Sequence, residues 1–289
     1  MTRFPLTLTG AAITLLLGSA AALATAMPEE AVSDETVAAQ RSALADATEG
    51  LGFGPQSPRD IDALEGSNDR SFAAAPAATE MNLCNIHFHE SAEHRGGEFT
   101  TYRGNGNGKG SGTGFVYSGE LSEAELAGLD ERLGAGEYGD LVPGDTIEVH
   151  YVYTSAQVMP GPTLGACLSE SVMNPQLRVE AQVFVLVNDE NAADFIELTR
   201  VEQVDGLQQA VNIPSDTGAP VQYTGSTTGP GHNETGSPLK VSWSVRPQVS
   251  KVNIHTVGAW LEDNVFDEDH AHGVRNLVMN PALLSRMAN

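Results

Sequence analysis

Basic residues are scarce in this sequence. Lys and Arg number 15 against 38 Asp and Glu, for a formal net charge of −23. Nucleic acid and anionic membrane surfaces both reward clustered Lys and Arg, so neither is expected as a partner. Long apolar runs are also scarce. One stretch, Leu6 to Leu23, follows Arg3 and precedes the small residues Ala24-Thr25-Ala26. That order is an export signal, with cleavage expected after Ala26, or after Ala24 in the alternative. An uncleaved anchor fits less well, because Gly10 and Gly18 interrupt a run already short for a spanning helix. The mature chain is therefore expected to be exported, periplasmic or secreted, with no membrane contact after cleavage. Cysteine is scarce too, with only Cys84 and Cys167. In an oxidising compartment the pair is expected to form a disulfide. Closing so long a loop contributes about 4 kcal/mol in the chain-entropy picture.

Residues 27–80 are poor in large apolar side chains and rich in Ala, Glu, Asp, Ser and Pro. They read as a flexible acidic leader, with a loose helix over Met27 to Ala47. A single domain is expected over 81–289, although the length also allows two small ones. Strands are expected over Glu98–Arg103, Thr146–Thr154, Arg178–Asn188, Leu239–Val245 and Lys251–Trp260. Ser122-Glu-Ala-Glu125 is a capping box, predicting one short helix to about Leu133. The run from Gly104 to Gly114 is too poor a match for a phosphate loop, because Gly110 follows Lys109 where Ser or Thr is required. It reads as a long flexible loop. Glu262 to His272 reads as a solvated acidic loop, with a second metal or a proton route as the alternative. The pattern is that of a mainly β (α+β) fold with a central, mostly antiparallel sheet and short peripheral helices.

Histidine carries the chemistry. His87 and His89 lie two apart on a strand, so they project to one side about 6–7 Å apart at Cα. His150, in Glu148-Val-His-Tyr-Val152, offers a third imidazole, and three imidazoles leave one tetrahedral position open, as in catalytic zinc sites. His255, also on an expected strand, is the alternative third ligand. Asn85 and Glu148 each precede a histidine by two positions, on its own face, where a ligand's supporting partner belongs. Strand alternation puts Cys84 on the face opposite His87, which favours a disulfide over a cysteine ligand.

The stretch Asn82-Leu-Cys-Asn-Ile-His-Phe-His-Glu-Ser-Ala-Glu-His-Arg-Gly-Gly-Glu98, with Thr146-Ile-Glu-Val-His-Tyr-Val-Tyr153, resembles the delta-class carbonic anhydrases. It is more distantly similar to the alpha class. The resemblance implies an alpha-carbonic-anhydrase-like fold and zinc held by His87, His89 and His150, with Asn85 and Glu148 orienting His87 and His150. Co2+ or Cd2+ are possible substitutes for the zinc. It further implies that Glu93 orients a gatekeeper threonine. Tyr223-Thr-Gly-Ser-Thr-Thr-Gly-Pro230 supplies Thr227 for that role, with Thr228 as the alternative. Val152 and Trp243 would wall the substrate pocket. The implied reaction is reversible hydration of carbon dioxide to bicarbonate and a proton, by attack of a zinc-bound hydroxide. His94, His232, His255, His270 and His272 are the candidate proton shuttles.

Two other readings compete. His87-x-His89-x-x-x-Glu93 also fits a cupin, in which the carboxylate itself binds the metal. A non-catalytic relative of the carbonic anhydrases would act as a binding module, but such proteins typically lose a zinc histidine.

Overall fold

The computed structural model describes residues 31–63, 65–136, 139–227 and 229–286, so the expected export signal lies outside the described residues. Helix α1 (Asp34–Asp46) precedes strands β1 (Asn82–Glu90), β2 (Thr101–Asn105), β3 (Thr113–Val116), β4 (Leu133–Gly136), β5 (Gly139–Leu141), β6 (Thr146–Thr154) and β7 (Leu177–Val187). Helix α2 (Phe195–Leu198) follows. Then come β8 (Val201–Val204), β9 (Leu207–Ala210), β10 (Val221–Ser226), β11 (Lys240–Val245), β12 (Ser250–Asn253) and helix α3 (Ile254–Glu262). Strands dominate and the helices are short, as expected. No helix among the described residues is long and apolar enough to cross a membrane.

The central sheet runs β1-β6-β7-β11-β10, with β12 also paired to β7. β1–β6, β6–β7 and β10–β11 are antiparallel, whereas β11 and β12 each run parallel to β7. The sheet is thus mixed, with the antiparallel pairs in the majority. β6 is β-branched or aromatic at most positions, β7 is rich in Val, and both are almost entirely buried, as strands covered on both faces must be. On one face Ile147, Val149 and Tyr151 pack with Ile86, Phe88, Phe184 and Trp260. On the other, Val152 packs with Val179, Ala181, Val183 and Trp243. Alternation places His150 and Glu148 on that second face.

Cys84 and Cys167 are joined, with Cα atoms 5.0 Å apart, tying β1 to the turn Leu164–Cys167. The expected parity of Cys84 is corrected. The register shifts between Leu83 and Asn85, so Cys84 is an extra residue in a β-bulge. A bulge turns two successive side chains toward the same side. Cys84 therefore packs with Val152, on the histidine face.

The reading of the leader as flexible is corrected over residues 33–61. Ser33 caps α1 by accepting from the Thr36 amide, and Val37 and Leu44 are buried. Farther on, Gln56, Ser57, Arg59 and Ile61 are all buried, with Ser57 and Arg59 at 0% exposure. Composition missed this because only a few apolar side chains are buried here, and Gln56, Ser57 and Arg59 are held by specific hydrogen bonds. The capping box at Ser122 forms its hydrogen bonds but gives only a turn. Leu126 is 46% exposed, and a helix with no face to bury gains too little to propagate. Lys251–Trp260 divides into β12 and α3, because the Asn253 side chain accepts from the His255 amide and caps a helix that buries Ile254, Val257, Gly258 and Leu261.

The Gly-rich run is the tip of the β2–β3 hairpin, docked against the chain body. The Val274 amide donates to Gly110 O, and a Cβ at Gly110, where φ is +105°, would lie 2.8 Å from Pro230. The strand expected over Glu98–Arg103 begins later, as β2. The 262–272 segment is not a free acidic loop either. Its end pairs with β1, the His272 amide donating to Phe88 O and the Glu90 amide to His272 O.

Candidate metal centre

The β1–β6 register sets His87 directly opposite His150, and His89 opposite Glu148. One ring nitrogen from each of His87, His89 and His150 lies within 4.8 Å of the others. Their partners fix which nitrogen is free. Asn85 Nδ2 donates to Gly161 O at 3.1 Å, which turns Asn85 Oδ1 toward His87 Nδ1, 2.6 Å away. An amide oxygen only accepts, so His87 carries its proton on Nδ1 and Nε2 keeps a lone pair. The same logic applies to His89, whose Nδ1 donates to Gly273 O at 2.8 Å. His150 is reversed. Its Nε2 donates to Glu148 Oε1 at 2.9 Å, leaving Nδ1 free.

The free nitrogens of His87 and His150 then face each other at 3.3 Å. The free Nε2 of His89 is buried with no hydrogen-bond partner. Converging lone pairs of this kind are relieved by a cation. Burial, then the neighbouring imidazoles of His150, His89 and His272, holds His87 well below the ordinary histidine range. Burial likewise pushes His89 down to about 4, against the pull of Glu93. The His87 and His89 rings are thus kept neutral, as metal ligands must be.

Behind the three rings lies a buried polar layer. Glu148 Oε1 accepts from His150 and lies 2.6 Å from His94 Nδ1, and Glu148 Oε2 accepts from the His94 amide at 3.1 Å. Burial by itself would raise the Glu148 carboxyl, but His94 and His150 outweigh it and hold it well below the usual carboxylate range. Glu93 Oε1 accepts from the Arg275 amide at 3.0 Å and lies 3.7 Å from His89 Nδ1.

Several expected roles change. His94 is fully buried between Glu148 and Tyr223, with its Nε2 2.6 Å from Tyr223 Oη, so it is no route to bulk water. His255 is exposed in the first turn of α3, 3.3 Å from Glu131, and does not join the cluster. The Thr227 hydroxyl lies 3.4 Å from that of Ser237 and does not pair with Glu93, while Thr228 lies outside the described residues.

The cluster opens into a cavity of about 270 Å³, bounded by Asn85, His87, His89, Leu164, Pro230 and His272. Val152 and Trp243, expected in its wall, stand in the packed core behind His150 instead. Trp243 meets the His150 ring edge-on at 5.0 Å, and its Nε1 donates to Ser226 O. The apolar wall is Leu164 and Pro230. His272, whose ring lies 5.4 Å from that of His87, hydrogen-bonds Glu268 at 2.5 Å. Of the five shuttle candidates it is the one that lines this cavity.

A strand-borne cluster of three histidines, open on one side to a small cavity, is a site that could hold a metal ion. The family model for delta carbonic anhydrase matches residues 78–256, and the chain belongs to that family. The resemblance carried by residues 82–98 and 146–153 is thereby borne out, and the protein is a carbonic anhydrase acting on carbon dioxide and bicarbonate. Among solved structures, the chain is similar to the alpha-carbonic anhydrase of Thermovibrio ammonificans in complex with sulfanilamide. Identity there is 14% over 77% of this chain and 84% of that one, with a TM-score of 0.27. A halotolerant carbonic anhydrase from Dunaliella salina is 15% identical over 84% and 93%, with a TM-score of 0.34. The Photobacterium profundum alpha-carbonic anhydrase is 14% identical over 85% and 95%, with a TM-score of 0.27. No curated protein matches the chain.

Proposed function

We propose that the chain hydrates carbon dioxide reversibly at a zinc ion held by His87 Nε2, His89 Nε2 and His150 Nδ1. The observation that carries this is the set of fixed tautomers, which leaves three lone pairs converging, one of them buried and unpartnered. Zinc bound by three neutral imidazoles supplies a Lewis acid that lowers the pKa of a water in its open position to about 7; carbonic anhydrase is the standard example of this effect.

The chain's own residues do the rest. Leu164 and Pro230 give carbon dioxide an apolar surface beside the open side of the cluster. Asn85, Gly273 and Glu148 hold the three rings in place, so little reorganisation is needed when the ion binds. Glu93 braces the stretch after the acidic loop through the Arg275 amide. The cupin alternative would need Glu93 as a ligand. Its carboxylate faces His89 Nδ1, the nitrogen turned away from the cluster, so it has no place there. An exported location remains part of this reading, supported by the character of residues 1–26 and by the Cys84–Cys167 bond.

Zinc-edge X-ray absorption on the loaded chain tests the ligand set. Three imidazole nitrogens at about 2.0–2.1 Å with one further oxygen are expected. A sulfur shell, or a carboxylate-rich shell of six, would overturn the assignment.

A further inference from the structure

The family match begins at residue 78, yet the support of the metal centre reaches back into the leader. Ser57 is fully buried and interlocked with β10. Its amide donates to Ser226 Oγ at 3.2 Å, and the Ser226 amide donates to Ser57 Oγ at 3.1 Å. From that anchored hydroxyl a hydrogen-bond chain runs to the cluster. Ser57 Oγ bonds Tyr223 Oη at 3.2 Å, and Tyr223 Oη lies 2.6 Å from His94 Nε2. His94 then meets Glu148, and Glu148 meets His150. Every member is buried.

The surroundings hold this chain in one geometry. Gly225 leaves the room it needs, since a Cβ there would lie 2.0 Å from Ser57 Oγ. The Arg59 guanidinium sits 5.4 Å from the centroid of the Tyr223 ring. Arg275 donates to Ser57 O through Nη1, while its own amide donates to Glu93 beside His89. The leader therefore stands behind two of the three histidines. A buried polar chain of this kind is either satisfied throughout or costly, so each member fixes the next.

We infer that Ser57 is a positioning residue of the metal centre, acting on His150 through Tyr223, His94 and Glu148. The segment around residues 56–61 then belongs to the catalytic unit and is not a tether to it. This rests on the proposed zinc site. Partners beyond the ligands typically govern metal affinity by about 10–100-fold, and Ser57, at the far end, belongs at the lower end of that range.

The test uses the full chain with Ser57→Ala, Tyr223→Phe and the double variant. Zinc affinity is read by chelator competition, and the unfolding midpoint of each zinc-free protein is read alongside. Ser57→Ala is expected to weaken zinc binding about tenfold. The double variant is expected to bind zinc as weakly as Tyr223→Phe alone, because both changes cut one chain. Effects on affinity that simply add, or a Ser57→Ala chain with native affinity, would overturn the inference. If Ser57→Ala does not fold, Tyr223→Phe still decides, since it keeps the Ser57–Ser226 interlock and native zinc affinity in it would break the chain at its centre. Failure of the parent chain to bind zinc would sink the zinc site itself, a separate result.

Discussion

Replacing His150 with alanine is expected to cost the chain both its metal and its hydration activity. The register places His150 opposite His87, and its free Nδ1 faces His87 Nε2 at 3.3 Å. Neither of the two other strand-expected or buried candidates, His255 and His94, can take that position. His255 is exposed on α3 beside Glu131, and His94 is committed to Glu148 and Tyr223. The two remaining ligands would hold zinc far more weakly and leave two coordination positions to water. Metal content after dialysis should fall to the level of a chelator-stripped sample, and stopped-flow hydration should fall to background. The fold should persist, because Glu148 keeps its bonds to His94. A His150→Ala chain that retained bound zinc and full activity would show that the third ligand lies elsewhere.

Glu148→Gln is the second large effect. One carboxylate accepts from His150 Nε2, the His94 amide and His94 Nδ1, and all three residues are buried. Glutamine keeps the shape but has only one accepting oxygen. Its amide nitrogen must then face a donor, leaving a buried polar group unsatisfied. Zinc affinity is expected to fall by about 100-fold, the upper end for an orienting partner. Leaving that buried group unsatisfied also costs about 1–3 kcal/mol of folding stability.

The acid limb should change as well. The Glu148 carboxyl is held well below its unfolded value, so the folded state binds fewer protons there. Its contribution is therefore present above the unfolded pKa and is lost as pH falls through the folded one. His89, at about 4 in the folded chain, adds a loss that starts nearer the ordinary histidine range. Zinc-free parent protein should thus destabilise in two stages on acidification. The Gln variant should keep the histidine stage and lack the carboxylate one. Identical pH profiles of the unfolding midpoint in the two proteins would show that Glu148 is not the group responsible.

The ligand set was legible because it follows a local rule. Two-residue alternation puts His87 with His89 and Glu148 with His150, and nothing in the tertiary structure disturbs β1 beyond Asn85 or β6 anywhere. Where the rule is broken, the sequence misleads. One inserted residue at Cys84 reverses its face, and no residue type announces the bulge. α3 had a readable signal in Asn253, but the β-rich run Val252 to Val257 outweighed it.

The parts of the site that come from distant chain were the least legible. His94 looks like a shuttle until Tyr223 and Glu148 close around it. Ser57 sits in a stretch whose composition suggests no order at all. Its place is set by contacts with residues 226 and 275, far along the chain. Such contacts leave no periodicity to read. The pocket wall was misassigned for a related reason: alternation puts Val152 on the face of His150 and the resemblance supplied Trp243, but neither says whether that face is cavity or core.

The most direct measurement is stopped-flow hydration of carbon dioxide by the chain from residue 27 onward, made on the isolated protein, after chelation, and after zinc is returned. The account predicts activity that disappears with the metal and recovers in proportion to zinc, saturating at one ion per chain. A chain that binds one zinc through these three histidines and still hydrates no carbon dioxide would contradict it.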